Sequence, residues 1–340
     1  MKISEIWNSD EYSFLHRNEH LKDRIILLGV SGSHAYGTNN ENSDIDLRGI
    51  CLEKPDEIIG LQRFEQYTDE HTDSVIFGFN KVMRLLIDCN PALIELLGLD
   101  PAQYIYLNDI GKQLVDNRHM FLSKKAARSF GGYADMQLRR LQNANARDHL
   151  NQAQREEHIR RSVQHALDDM VTKYKSLHQN DVNIYIDKAV NENMDMELFM
   201  DATFKHMPLR DYKHIWNNIR NVIIDYDKIG ARNHKKDDNH LNKHAMHLVR
   251  LFHMAIEILE EEEIHTRRTW DLPLLRDIRA GKYMSENHQM NEAFYEIVKE
   301  CEARLHTAME RTALPETPDM EKIEAFMIEV NKKAITGEKL

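Results

Sequence analysis

The stretch GVSGSHAYGTNNENSDIDLRGI, residues 29–50, decides how the chain is read. It holds four glycines, three serines and two aspartates spaced two apart, Asp44 and Asp46. It grows out of the apolar run RIILLGV, which ends in Gly and Ser as a buried strand does on entering a turn. A Gly-Ser turn at such a place leaves backbone N–H groups and a hydroxyl for phosphate oxygens, because no bulky Cβ blocks close approach. In SDIDLRGICL the residues alternate, so Asp44, Asp46 and Arg48 are expected on one face of a second strand and Ile45 and Leu47 on the other. Two carboxylates at i and i+2 can jointly hold hard Mg²⁺ ions that bridge a nucleotide's phosphates. A two-metal displacement asks for a third carboxylate, and Asp73, at the start of an expected third strand DSVIFGF, is the candidate. Taken singly, the glycines make a tight turn without ligand and SDIDL an exposed strand edge; their order and spacing together point to chemistry.

Two other phosphate motifs are excluded. Gly32 to Gly37 is followed by Thr38 rather than Lys, so there is no GxxxxGK[ST], and no GxGxxG precedes an acidic residue about twenty positions on. Further along, NKVMRLLIDCNPALIELLGL reads as a helix, a break at Asn90-Pro91 and a second short helix. From residue 118 the pattern turns helical, with Phe130, Ala134, Leu138 and Leu141 at helical spacing and a further helix over 155–177. NARDHL (145–150) is read as the connection between these two helices, and HQNDVNIYIDKAVNENMD as turns around a short strand. ARNHKKDDNHLNKH (231–244) is read as a loop before a long helix, and ALPETPD as the break before the last helix.

At 340 residues the chain exceeds the usual size of one core, so two domains, or one with a large extension, are expected. Cys51, Cys89 and Cys301 are scattered and form no CxxC pair, which predicts neither a disulfide framework nor a cysteine-based zinc site. The opening MKISEIWNSDEYSFLHRNEH mixes charge throughout and IILLGV is far too short to span a bilayer, so no signal peptide, no membrane span and a cytoplasmic location are expected. Net charge is −11, unevenly spread: residues 1–117 carry 10 Lys and Arg against 20 Asp and Glu, residues 118–175 carry 12 against 6. That basic island is either a polyanion-binding face or a solvated helical surface. On the later helix, Lys243, His247 and Arg250 at i, i+4 and i+7 form a cationic stripe opposite Leu248, Phe252, Ala255 and Leu259, facing phosphate or solvent. His240, His244 and His247 share helical spacing, but without HExxH and with carboxylates already suited to Mg²⁺, zinc is not expected there; EILEEEE (257–263) reads as a solvated helix end.

GSHAYGTNNENSDIDLRGI resembles the signature of the DNA polymerase β-like nucleotidyltransferase superfamily, and its extended form, GSxxYGT then SDxDxRGI, resembles the RlaP-type predicted nucleotidyltransferases linked to RNA repair, which include phage-encoded members. Segments at 80–99, 121–141, 242–259, 274–283 and 314–330 resemble that branch in order, whereas about 150–235 resembles it least. The resemblance implies an α+β fold: a polymerase-β-like sheet-and-helix catalytic domain over 1–117, then a mostly α-helical substrate-binding domain over 118–340 with an insert at about 150–235. By position, Gly32 and Ser33 match the phosphate-binding Gly-Ser, and Asp44 and Asp46 the two metal ligands. The third acid matches Asp73, or Asp69 or Glu70 if the register shifts. Arg48 matches the Arg of SDxDxRG, contacting phosphate or bracing the loop, and Tyr36 and Thr38 either pack the loop or touch substrate. The implied function is Mg²⁺-dependent transfer of a nucleoside monophosphate from an NTP to an acceptor hydroxyl, with two ions and release of pyrophosphate. RNA, a tRNA end included, is the favoured acceptor and a protein side chain the second; a catalytically inactive nucleotide- or RNA-binding module is the third reading. Oligomeric state is not legible.

Overall fold

The computed structural model describes residues 3–41, 43–149, 151–190, 195–231 and 238–337. In chain order its first part runs α1 (Phe14–Arg17), β1 (Ile25–Val30), α2 (Gly32–Tyr36), β2 (Leu47–Cys51), α3 (Pro55–Ile59), β3 (Gln66–Asp69), β4 (Ser74–Gly78), α4 (Phe79–Ile87), α5 (Pro91–Leu97), β5 (Tyr104–Leu107), α6 (Asp109–Asp116) and α7 (Lys125–His149). The strands form one sheet in the order β3-β4-β2-β1-β5, with β2 and β4 parallel and the other neighbours antiparallel. All six residues of β1 are buried, as a strand covered on both faces requires. The mixed α+β class expected from the resemblance is the observed one: a five-stranded sheet with helices, then a mostly helical part.

Two strand boundaries differ from the sequence expectation. The second strand starts at Leu47, so Asp44 and Asp46 precede it instead of lying on its face. Its pairing with β1 ends at Val30↔Leu47, followed by one more bond in which Ser31 N–H donates to the Asp46 carbonyl at 2.7 Å. The third expected strand is β4, and Asp73 lies just ahead of it, in the turn from β3, with a left-handed φ of 44°. Strands β3 and β5 were not expected; QYTD and YIYL are four residues each, too short to show a period.

The Asn90-Pro91 break is as read: α4 stops at Ile87, and Asn90 caps α5 by accepting from Ala92 N–H at 3.2 Å. Beyond α7 come α8 (Gln152–Lys173), β6 (Val182–Lys188), β7 (Met196–Ala202), α9 (Leu209–Ala231), α10 (Asp238–Glu261), α11 (Leu272–Arg279), α12 (Glu292–Arg311) and α13 (Met320–Thr336). NARDHL is not a connection: α7 continues to His149, and Leu150 lies outside the described residues. The single strand expected near 184 is a hairpin, β6 antiparallel to β7 in unbroken register. Of the expected loop at 231–244, residues 232–237 lie outside the described residues, while Asp238 to His244 are the first turns of α10.

The chain divides into two compact units, residues 1–137 with 242–340, and residues 138–241. The expected boundary at 117/118 falls inside the first unit, and the expected insert at about 150–235 inside the second. In the first unit α10 is buried from Leu248 through Leu259 on every side, so it is a central helix, not a two-faced surface one. The second unit packs Ile159, Val163, Leu167 and Met170 of α8 with Ile184 of β6 and Ile215 and Ile219 of α9.

Candidate active site

The turn from β1 into α2 is built on Gly32. Its φ is +59°, which an L side chain rarely adopts, and a Cβ there would lie 2.0 Å from Asp46 Oδ2. Asp46 therefore rests its carboxylate directly on the backbone of the Gly-Ser turn, and no other residue type fits beneath it. The far end of α2 is tied down by other donors. Gln103 Nε2 reaches the His34 and Ala35 carbonyls, each at 3.0 Å; Arg268 N–H reaches the Tyr36 carbonyl at 3.0 Å and Arg276 Nη2 that of Gly37 at 2.9 Å. The first N–H groups of α2, at Gly32 and Ser33, have no intrahelical acceptor and lie at the opposite end, beside Asp46.

The carboxylates come next. Asp73 hydrogen-bonds to Asp46, and burial first, then Asp73, pushes the Asp46 carboxyl above the usual carboxylate range, while Arg48 and Lys243 pull it back. Two carboxyl groups in contact need a proton or a cation between them. Asp73 is exposed and held by Arg48, whose Nη1 donates to the Asp73 carbonyl at 2.7 Å and whose Nη2 lies 3.5 Å from Oδ1. Arg48 also bonds the Leu47 carbonyl, so it braces β2 against the turn before β4. Asp69, an alternative third acid, spends Oδ1 on Thr72 N–H (3.0 Å) and Thr72 Oγ1 (2.9 Å), closing the β3–β4 turn; Glu70 is exposed in that turn. Among the described residues no group of three or more His, Cys, Asp and Glu converges as a ready-made metal centre. The donor chemistry nonetheless fits a hard cation: Asp46 and Asp73 are already in contact, and Asp44 and Asp73 are exposed, so either can turn toward an ion without leaving a core.

The helical stripe does not behave as one cationic face. Lys243 is exposed and its charge is felt by Asp46. His247 is held neutral at pH 7: burial, then the charges of Arg250, Lys243, His244 and Arg279, lower its pKa well below the ordinary histidine value. Arg250 is buried, not available to phosphate. Its Nη1 lies 2.5 Å from Glu95 Oε1, its guanidinium sits 3.7 Å over the Tyr36 ring, and Tyr36 OH donates to Glu95 Oε2 at 2.6 Å. This closed set locks Tyr36 as a packing residue of the loop, and burial drives the Tyr36 hydroxyl pKa far up. Thr38 is buried as well.

A second buried ionic set lies behind it. Arg268 bonds Glu257 with Nη1 (2.7 Å) and Nη2 (2.6 Å) and Asp271 with Nε (3.0 Å) and Nη2 (2.9 Å), while Asp271 also holds His253 Nδ1 at 2.8 Å. Glu257 is thus buried, contrary to the solvated helix end expected of EILEEEE; Glu260, Glu261 and Glu263 pair at the surface with Arg304, His265 and Arg118. His244 Nδ1 lies 2.8 Å from Gln137 Oε1, with no histidine cluster formed around it among the described residues. Sequence reasoning missed Glu95, Arg268, Glu257 and Asp271. The available signal was one acid inside the apolar run ALIELLGL, which can be buried only with a partner.

Residues 8–155 match a family model described as RlaP, RNA repair pathway DNA polymerase beta family. This segment is similar to the RlaP family. No curated protein and no solved structure matches the chain. The RlaP match takes in the Gly-Ser turn, Asp44, Asp46, Asp73 and Glu95 and ends within α8; Lys243, His247 and Arg250 on α10 lie beyond it. Polymerase-β-like nucleotidyltransferase chemistry in an RNA repair pathway is what the RlaP match suggests. No helix among the described residues is long and apolar enough to cross a membrane.

Proposed function

We propose that the chain is a Mg²⁺-dependent nucleotidyltransferase that moves a nucleoside monophosphate from an NTP to a hydroxyl on RNA, a tRNA end being one such acceptor, and releases pyrophosphate. The observation that carries this is the seating of the Asp46 carboxylate on the Gly32 backbone in contact with Asp73, which brings phosphate-binding turn and metal-binding acids to one point. Gly32 and Ser33 hold triphosphate oxygens with their N–H groups, and Asp44, Asp46 and Asp73 hold the cations. Bound Mg²⁺ lowers the pKa of the attacking hydroxyl and neutralises charge on the departing pyrophosphate. Arg48 fixes Asp73, and Lys243 adds positive charge beside the triphosphate. His247 and Arg250 act behind the turn, holding Tyr36 in place. RNA as acceptor is supported by the RNA-repair description of the RlaP family and by the basic stretch 118–175, although the net charge of −11 argues against tight non-specific binding to nucleic acid.

The test is a transfer assay with each α-labelled NTP, Mg²⁺, total RNA and cell protein, run beside Asp44→Ala/Asp46→Ala. Label on RNA that is lost with the double substitution or with chelator is the expected result. Label on protein moves the acceptor to a side chain, and Mg²⁺-independent nucleotide binding unaffected by the substitutions makes the chain a binding module.

A further inference from the structure

The second compact unit carries a feature that transfer chemistry does not use. On α9, Ile215 and Ile219 are buried in the unit's core, which fixes the helix so that Leu209, Tyr212, Lys213, Trp216 and Arg220 point outward. Trp216 is 50% exposed and Tyr212 39%, and their rings stack with centroids 6.4 Å apart and planes 13° from parallel. Phe204 meets Tyr212 edge-on at 5.7 Å, which steadies the stack from beneath, since Phe204 itself packs on the core. A tryptophan left half in water at the end of an ordered stack gives up burial that its indole would otherwise gain.

The surroundings are cationic. Residues 203–220 contain Lys205, Arg210, Lys213 and Arg220, all exposed, against one acid, Asp211, which accepts from Ser176 Oγ at 2.9 Å and lies 3.7 Å from Arg210 Nε. On the other side of α9 from Tyr212, His214 stacks on Tyr174, over whose ring Lys173 lies at 5.6 Å. Open aromatic faces interleaved with Lys and Arg are what single strands of nucleic acid bind: every base offers a π-face and every linkage a negative charge. A duplex keeps its base faces stacked internally and cannot use the rings. A partner surface without acids would leave these cations desolvated and unpaired.

We propose that this face of α9 binds single-stranded RNA, with bases stacking on Trp216 and Tyr212 and phosphates on Lys213, Arg210 and Lys205. The surface lies outside the RlaP match and within the second unit alone. Binding here does not require the carboxylate site to be catalytic.

The experiment is fluorescence anisotropy of a short labelled single-stranded RNA with the full chain, without NTP or Mg²⁺, so that binding is read apart from transfer. Wild type is expected to bind, with quenching of tryptophan emission, and Trp216→Ala to weaken binding about tenfold, Tyr212→Ala somewhat less. Lys213→Gln should reduce the slope of log affinity against log salt by about one. Lys213→Gln should leave circular dichroism and thermal melting unchanged; Trp216→Ala and Tyr212→Ala each remove a half-buried ring, so their RNA affinities are compared at a temperature where circular dichroism shows each variant folded. Affinity unaltered by Trp216→Ala and Tyr212→Ala, or equal affinity for the duplexed oligonucleotide, would overturn the proposal. So would variants that keep RNA binding but lose self-association or a protein partner. No transfer by the wild-type chain in the separate assay with NTP and Mg²⁺, with RNA binding intact, would count against the nucleotidyltransferase reading and leave this surface standing.

Discussion

Gly32 and Asp46 cannot be changed independently, because the Cβ of any residue at 32 would need the space of Asp46 Oδ2 and a left-handed backbone besides. Gly32→Ala is expected to cost about 1–2 kcal/mol in a urea titration from the backbone alone and far more in transfer rate, since it pushes the carboxylate off the turn. Adding Asp46→Ala should return part of the stability and none of the activity; a double substitution whose cost is the plain sum of the two would show that no clash exists. At His247 the prediction concerns pH. Its folded pKa is depressed by burial and by the neighbouring cations, so below the unfolded value of 6.5 the unfolded chain takes up a proton that the folded chain refuses. Stability is therefore fully present above pH 6.5 and falls as pH drops toward the folded pKa, by at most about 1.4 kcal/mol per pH unit for one proton. His247→Gln should remove that part of the slope, measured by denaturant midpoints between pH 7 and pH 5. The sequence showed Gly32, Ser33, Asp44, Asp46 and Asp73 through spacing, but the contact of Asp46 with Asp73 depends on two separate turns meeting, which no spacing encodes.

At the scale of elements, α2, α5 and α10 are joined by Tyr36, Glu95 and Arg250, one residue from each. Removing one charge of a buried pair strands the other, so Arg250→Met is expected to cost about 3–5 kcal/mol, whereas Tyr36→Phe, which removes a single hydrogen bond to a charged group, should cost about 1.5–3 kcal/mol. Arg250→Met combined with Glu95→Gln should cost less than Arg250→Met alone, and equilibrium unfolding of the three variants checks this. Of the three, α2 read as a turn, whereas α5 and α10 were legible as helices. Their roles were not, because a lone Glu in an apolar run and an Arg on a charged stripe each read as surface until the partner is known. The short strands β3 and β5 were missed for lack of length, and the start of α10 because Asn, His and Lys in NHLNKH imitate a loop.

For the whole molecule, the informative fact is that the first compact unit is discontinuous in sequence, closed by residues 242–340 after a second unit of residues 138–241. Composition and periodicity run along the chain and cannot register a return to an earlier core, which is why a boundary was read at 117/118 where the helical pattern begins. Two units with separate cores need not unfold in one step. Tryptophan positions give each a reporter: Trp7 and Trp270 in the first unit, Trp216 in the second. Ile215 is fully buried in the second core, and Ile215→Ala should remove about 2–5 kcal/mol there. If the units unfold separately, Ile215→Ala lowers the urea midpoint reported by Trp216 and leaves unchanged the one reported by Trp7 and Trp270, read with Trp216→Phe. Arg250→Met should do the reverse. A single transition shifted equally by both substitutions would mean that the two cores melt together.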